Sequence, residues 1–273
     1  MPPRIAIPMP HSIDLDYAER SILQYERAVQ QAGGEPVRIP LGQPQSEMLK
    51  IEITKIMESC DGVLLPGSKA DVDPSRFNAT RSPHTAIADA RRDTVDDLLL
   101  QDAYNLRKPI LGICYGLQSL NVYRSGSLIQ HIPDFLPEEL RTRVNHEAGK
   151  TVAVAHAVEI ESDSKLAGIL RGILGENEND RLRGDSRPRP SGGGAQLMLP
   201  VNSSHHQSAD LIGDGLCIAA RCPDDGIIEA LEGTSADHFV LAVQWHPERS
   251  VDDDPASRAI FQALVRAAET ACK

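Results

Sequence analysis

Along the first half of the chain, short runs of apolar and β-branched residues alternate with longer stretches in which apolar positions recur every three or four residues. Arg4 to Ile7 is the first strand-like run. From Asp14 to Ala32, residues Ile22, Tyr25, Ala28, Val29 and Ala32 fall at helical spacing, and Gly33-Gly34 supplies the left-handed exit on which helices end. Pro36 to Ile39 reads as a second strand, Ser46 to Glu58 as a helix, and Gly62-Val63-Leu64-Leu65 as a buried strand closed by Pro66-Gly67-Ser68. After a long polar loop, Lys69 to Ala88, a helix over Asp89 to Leu106 leads into the strand Pro109-Ile110-Leu111-Gly112-Ile113. An alternation of strand and helix of this kind builds a parallel sheet covered on both faces.

Beyond residue 150, the runs Val152 to Ile160, Leu216 to Arg221, Ile227 to Leu231 and Phe239 to Trp245 read as further strands, some of them antiparallel. Pro255 to Glu269 has the period of a terminal amphipathic helix. Between Gly175 and Gln196 the composition turns acidic, then Arg-rich, then Gly-rich, with no hydrophobic period. That stretch is expected to be a mobile insertion loop within one domain spanning 1–273, not a domain boundary.

At 273 residues the chain is long enough to bury a large core. The 28 Lys+Arg against 39 Asp+Glu leave a net charge of −11, and aromatic residues make up only 4%. With neither a basic surplus nor stacking rings, nucleic acid is excluded as the expected partner. No apolar run approaches the roughly 18 residues of a membrane span, and no signal-like region precedes the first strand, so a cytoplasmic location is expected. The five cysteines, at 60, 114, 217, 222 and 272, are odd in number and show no CxxC spacing, which is no disulfide framework.

Chemistry concentrates at Gly112-Ile113-Cys114-Tyr115-Gly116. This is the thiol counterpart of the G-x-S-x-G elbow, a tight strand-to-helix turn that exposes its nucleophile. A cysteine at a helix N-terminus is biased toward thiolate. A proton carrier for the leaving group is then needed, and His246, in Gln244-Trp245-His246-Pro247-Glu248, stands at the end of a strand-like run. Read as extended chain, residues i and i+2 point the same way, so Glu248 is expected to orient the imidazole. A Cys114, His246, Glu248 triad follows. The pair His205-His206 invites a metal reading, but neighbours on an extended chain face opposite ways and no companion ligands lie at recognised spacing, so no metal is expected.

Five pieces lie in order along nearly the whole chain: Leu65-Pro66-Gly67-Ser68 with Asp71-Val72-Asp73-Pro74; Arg92-Asp93; Pro109 to Asn121; Val201-Asn202-Ser203-Ser204-His205-His206-Gln207; and Val243 to Glu248. In these the chain resembles the class I glutamine amidotransferase-like proteins, and within them the gamma-glutamyl-gamma-aminobutyrate hydrolase group. The resemblance implies an α/β, flavodoxin-like, doubly wound and mostly parallel sheet with additional strands in the C-terminal half. It also implies cleavage of a γ-glutamyl amide through a γ-glutamyl thioester on Cys114, with no cofactor, and an oxyanion hole from the backbone N–H groups of Tyr115 and Gly67. By the same resemblance Gln118, Asn202, Ser203, Ser204 and His205 would bind the substrate or shape its pocket. Pro-Gly-Ser stands where many relatives have Pro-Gly-Gly, and Ile129 where a histidine is frequent, so specificity is left open.

The leading expectation is a stand-alone hydrolase of small γ-glutamyl amides, with a homo-oligomer compatible with the chain. Two alternatives remain at this point: a glutaminase subunit that delivers ammonia to a separate synthase partner, and a catalytically silent binding protein that keeps the fold.

Overall fold

In the computed structural model, which describes residues 1–42, 47–174 and 197–271, the apolar alternation becomes a nine-stranded sheet. The N-terminal part runs β1 (Arg4–Pro8), α1 (Leu15–Gln31), β2 (Glu35–Ile39), α2 (Glu47–Glu58), β3 (Gly62–Leu65), α3 (Ala90–Leu106), β4 (Ile110–Ile113) and α4 (Tyr115–Tyr123). It continues with β5 (Leu128–Ile129), α5 (Ile132–Phe135), β6 (His156–Ile160), α6 (Lys165–Leu174), β7 (Leu197–Val201) and β8 (Ser208–Ala209). The last elements are β9 (Leu216–Arg221), β10 (Ile228–Gly233), β11 (Val240–Val243) and α7 (Pro255–Ala271). The sheet order is β2-β1-β3-β4-β11-β10-β9-β6-β7, so β2 and β7 are its edges.

Strands β2, β1, β3, β4 and β11 are mutually parallel, and β10, β9, β6 and β7 continue the sheet in antiparallel pairing. The parallel five have the flavodoxin-like order, and the added strands are the antiparallel extension expected for the C-terminal half. The period-2 alternation divides the core. Ile5, Ile7, Leu64, Leu111, Ile113, Leu241 and Val243 face one side, where α1 and α7 pack through Ile22, Tyr25, Ile260 and Leu264. Ala6, Val63, Leu65, Ile110, Val240 and Ala242 face the other, against Ile53 and Met57 of α2, Leu99 of α3 and Leu117 of α4. Both faces are apolar because both are covered, as parallel sheets require. No helix among the described residues is long and apolar enough to cross a membrane. The expected insertion loop, 175–196, lies outside the described residues.

Two differences from the sequence reading have plain causes. The strand expected from Val152 begins only at His156, because Val152 and Val154 are exposed and the Val152 N–H turns back to the Gly149 carbonyl instead of joining the ladder. Helix α6 and strand β7, on either side of residues 175–196, are additions to the expected elements. Pro200 in β7 blurs the strand pattern and is tolerated because this strand is an edge.

Helix α4 is buried along almost its whole length and packs against the turn that follows β3. Its approach depends on Gly116: a Cβ there would overlap the Leu65 carbonyl oxygen and stand 2.8 Å from Leu65 Cβ. Backbone cannot yield as a side-chain tip can, so Gly116→Ala is expected to lower the stability by about 3 kcal/mol or more, read by urea unfolding of the purified variant.

Candidate active site

Three neighbouring parallel strands, β3, β4 and β11, end at the same edge of the sheet, and the turns beyond them bring Gly67, Cys114 and His246 together. Open α/β sheets bind their ligands beyond the carboxyl ends of such strands. Cys114 sits between β4 and α4 with φ +53° and ψ −103°, a left-hand-side conformation that a residue with a Cβ adopts only when its surroundings enforce it. Here its N–H is tied to the Val243 carbonyl at 2.8 Å, and its own carbonyl accepts from the N–H groups of Leu117 and Gln118. This is the strained elbow expected of Gly-Ile-Cys-Tyr-Gly.

His246 caps a short 3-10 turn, Pro247–Arg249, and its Nδ1 lies 2.7 Å from Glu248 Oε1. The pairing expected from the sequence is therefore present, but its geometry is that of a helical turn, not an extended segment. Burial lowers the pKa of His246, against the opposing pull of Glu248. Glu248 is held below the usual carboxylate value, His246 and Arg249 together outweighing the effect of burial. Burial pushes the Cys114 thiol up to about 12, with Arg249 and the Tyr115 N–H acting the other way. Desolvation therefore acts against the bias toward thiolate that the helix N-terminus supplies.

Gly67 allows the close approach of these groups. A Cβ on it would stand 2.9 Å from His246 Cε1, 3.0 Å from Tyr25 Oη and 3.6 Å from Cys114 Cβ. Its N–H, expected to face an oxyanion, instead donates to the buried Tyr25 hydroxyl at 3.0 Å. The expectation for Gly67 as a donor is corrected: its N–H is spent on Tyr25. Ser68, one residue on, lines the cleft.

That cleft is small, about 180 Å³, and Cys114, Tyr115, Gln118, Ser204, His205 and His246 all border it. Its rim is basic in an otherwise acidic protein. Lys69 and Lys150 stand 4.7 and 4.9 Å from the centre of the Tyr17 ring, and Arg249 reaches Ser204 Oγ at 2.9 Å. His206 bonds Asp71 at 3.1 Å, and this contact raises its pKa against the effect of burial. Motif spacing does not single out these cations and the His206–Asp71 pair, because the residues come from separate segments with no fixed separation.

The residues expected to bind substrate divide into two groups. Gln118 is buried and borders the cleft, with its amide nitrogen held by the Gln207 carbonyl and Gln244 Oε1. Ser204 and His205 also border it. Asn202 and Ser203 do not, and their assignment as substrate ligands is corrected. Asn202 makes a reciprocal pair with the backbone of His246, Oδ1 accepting its N–H and Nδ2 donating to its carbonyl, both at 2.9 Å. Ser203 Oγ donates to the His146 carbonyl at 2.7 Å.

The model of the Peptidase C26 family matches residues 10–248, which contain Cys114, His246, Glu248 and every other cleft residue named above except Arg249. The chain belongs to the Peptidase C26 family. Among its relatives, a provisionally named glutamine amidotransferase-like protein of Rickettsia prowazekii is 32% identical, with 90% of this chain and 88% of that one aligned. The gamma-glutamyl-gamma-aminobutyrate hydrolase of Escherichia coli K12 is 30% identical over 92% of this chain and 85% of its own. A solved structure from Thermoplasma acidophilum, provisionally assigned as one of the subunits of a GMP synthase, superposes with a TM-score of 0.60 at 14% identity, covering 99% of this chain and 96% of that one. At that identity the likeness is one of fold. Membership of Peptidase C26 and the hydrolases among the relatives make this chain an enzyme of glutamine amidotransferase-like type.

Within this Peptidase C26 site, the Asn202 pair is the tie between the 202–207 loop and His246. Asn202→Ala leaves a buried N–H and a buried carbonyl unpaired, at about 1–3 kcal/mol for each. A fall in thermal stability, with kcat reduced more than KM is raised, is the expected outcome in parallel melting and steady-state measurements.

Proposed function

We propose that this protein hydrolyses small γ-glutamyl amides, releasing glutamate and an amine, with Cys114 as nucleophile, His246 as general base and acid, and Glu248 as its orienter. The observation that carries the reading is the strained Cys114 elbow set in one cleft with His246, whose Nδ1 is hydrogen-bonded to the buried Glu248. Relatives named gamma-glutamyl-gamma-aminobutyrate hydrolase support the substrate class.

Because both resting groups are neutral, attack and proton transfer go together. The Cys114 Sγ–H proton passes to His246 Nε2 as the S–C bond forms at the γ-carbonyl, and Glu248, on Nδ1, stabilises the imidazolium. The carbonyl oxygen takes up the negative charge, which meets the Tyr115 N–H and a donor of the Gly67-Ser68 turn; each such donor is worth about 3–4 kcal/mol in the transition state. His246 then gives its proton to the departing nitrogen as the C–N bond breaks, leaving a γ-glutamyl thioester. Water adds to the thioester carbonyl as His246 takes its proton, and that proton returns to sulfur when the C–S bond opens. The basic rim of Lys69, Lys150 and Arg249 suits the α-carboxylate of a glutamyl group, and the small cleft suits an amino-acid-sized acyl part.

Cys114→Ala is expected to abolish glutamate release from γ-glutamyl-γ-aminobutyrate and glutamine, together with any acyl adduct seen by mass spectrometry. Turnover by that variant at the parent rate would overturn the reading. Release that appears only when a synthase is added would replace it with the ammonia-delivering role. Glu248→Gln is expected to lower kcat about 10²–10⁴-fold.

The pH dependence follows from the protonation states. His246 acts as a base only when neutral, and its pKa lies below the ordinary histidine value of 6.5. The acid limb of kcat/KM is therefore expected below pH 6.5, with a plateau through neutral and mildly alkaline pH, since the thiol titrates only near 12. A profile rising with a midpoint between pH 8 and 9, as for an ordinary free thiol, would contradict the neutral-pair mechanism.

A further inference from the structure

Behind the cleft wall, away from Cys114, four buried side chains converge from four segments: His146 from the turn before β6, His156 from the start of β6, His205 from the 202–207 loop, and Glu229 from β10. Glu229 Oε1 lies 3.2 Å from His146 Nδ1, 3.4 Å from His156 Nε2 and 3.5 Å from His205 Nε2. Among the described residues, all three nitrogens and both carboxylate oxygens are buried with no well-aligned hydrogen-bond partner. In each ring the other nitrogen has an acceptor: His146 Nε2 lies 2.8 Å from Asp225 Oδ2, His156 Nδ1 3.2 Å from the Ala157 carbonyl, and His205 Nδ1 2.9 Å from the Gln207 carbonyl.

These outer contacts fix the tautomers. With the outer nitrogen of each ring donating, the inner one presents a lone pair, so three lone pairs and a carboxylate face one another in a volume closed to water. That arrangement calls for positive charge among the rings, which a proton shared with Glu229 or a bound cation supplies. Outer hydrogen bonds to carboxylate and backbone carbonyl are also the usual second contacts of metal-bound histidine. In a tetrahedron with metal–nitrogen and metal–oxygen bonds of about 2.0–2.2 Å, the edge between donors is about 3.3–3.5 Å. The three edges from Glu229 already have close to that length, and all four donors lie within 4.8 Å of one another.

We propose that His146, His156, His205 and Glu229 bind one divalent zinc ion in a closed, tetrahedral, structural site. Three imidazoles and one carboxylate match zinc in donor type and in number. The other groupings of potential ligands carry no such case: His146 Nε2 and both oxygens of Asp225 are already paired at the cluster with Cys222, and His84, His131 and Asp134 are largely exposed. The sequence argument against His205-His206 holds for that pair, whose rings diverge to Glu229 and Asp71. On this proposal it does not extend to His205, whose companion ligands lie far away in sequence. The site stands independently of the γ-glutamyl reading. It would join β6, β10 and the 146–149 turn to the loop whose Asn202 holds His246, making zinc a support of that loop and not a participant in the reaction.

The test is metal analysis of the full chain, purified without a histidine tag, before and after removal of metal by a strong chelator and after addition of Zn²⁺ alone. About one zinc per chain is expected, with a melting temperature that falls on chelation and recovers by about 5–10 °C with excess Zn²⁺. Co²⁺ in its place is expected to give the intense visible absorption of a tetrahedral ion. Glu229→Gln is expected to lose stoichiometric zinc, and Asp225→Asn, which loosens the His146 orientation, to weaken binding about 10–100-fold. Wild-type protein that takes up no zinc, gives no tetrahedral Co²⁺ spectrum and melts at the same temperature with and without Zn²⁺ would overturn the proposal, whatever the variants do.

Discussion

The contact on which the site depends is backbone against backbone: Gly116, in the first turn of α4, lies against the Leu65 carbonyl at the end of β3. No side chain separates the two segments, so the turn after β3 and the elbow after β4 are held at one fixed separation. Parallel pairing of β4 with β11 then sets the third member, because Val243 and Ile113 are in register and the Cys114 N–H bonds the Val243 carbonyl. Cys114 and His246 are therefore positioned by sheet register, which is stiffer than any loop. The positive φ of Cys114 is the strain this arrangement stores.

Beneath the cleft a second layer of polar groups holds the same turns from behind. Arg92 is fully buried, bonds Asp96 at 2.7 Å and donates to the carbonyls of Pro66 and Pro10, while its guanidinium stacks 4.9 Å from the Tyr115 ring. Tyr115 in turn donates its hydroxyl to Asp93 at 2.6 Å, and Arg76 closes the charge balance on that carboxylate. A buried ion pair repays its desolvation only when its donors are fully used. Here those donors also fasten the two ends of the cleft floor, so the Arg92-Asp93 pair noticed in the sequence supports the site and does not touch the cleft.

What was legible in the sequence was whatever depends on local period and on adjacent residues. Ile5, Leu64, Ile113 and Val243 report buried strands, and the glycines beside Cys114 report a tight turn. The His246–Glu248 pair was found for an imperfect reason: both extended chain and a 3-10 turn bring i and i+2 together here, and only the backbone angles tell them apart. What depends on distant partners was not legible. Asn202 and Ser203 look like ligands within a polar motif, yet their partners, His246 and His146, lie 44 and 57 residues away. The burial that pushes the Cys114 pKa upward was equally invisible, because a helix N-terminus is a local feature and desolvation is a property of the assembled core.

Among the described residues, the nine-stranded sheet leaves two rows of unpaired backbone, along β2 and β7, and each row is interrupted by a proline. Pro36 and Pro200 remove the N–H that an incoming strand would need. On β2, Arg38 adds a clamp between Glu19 and Glu26 that would have to be dismantled first. The sheet therefore terminates and does not template: at high concentration its long parallel core is guarded against strand-by-strand growth into fibres, a safeguard provided by two residues remote from any chemistry.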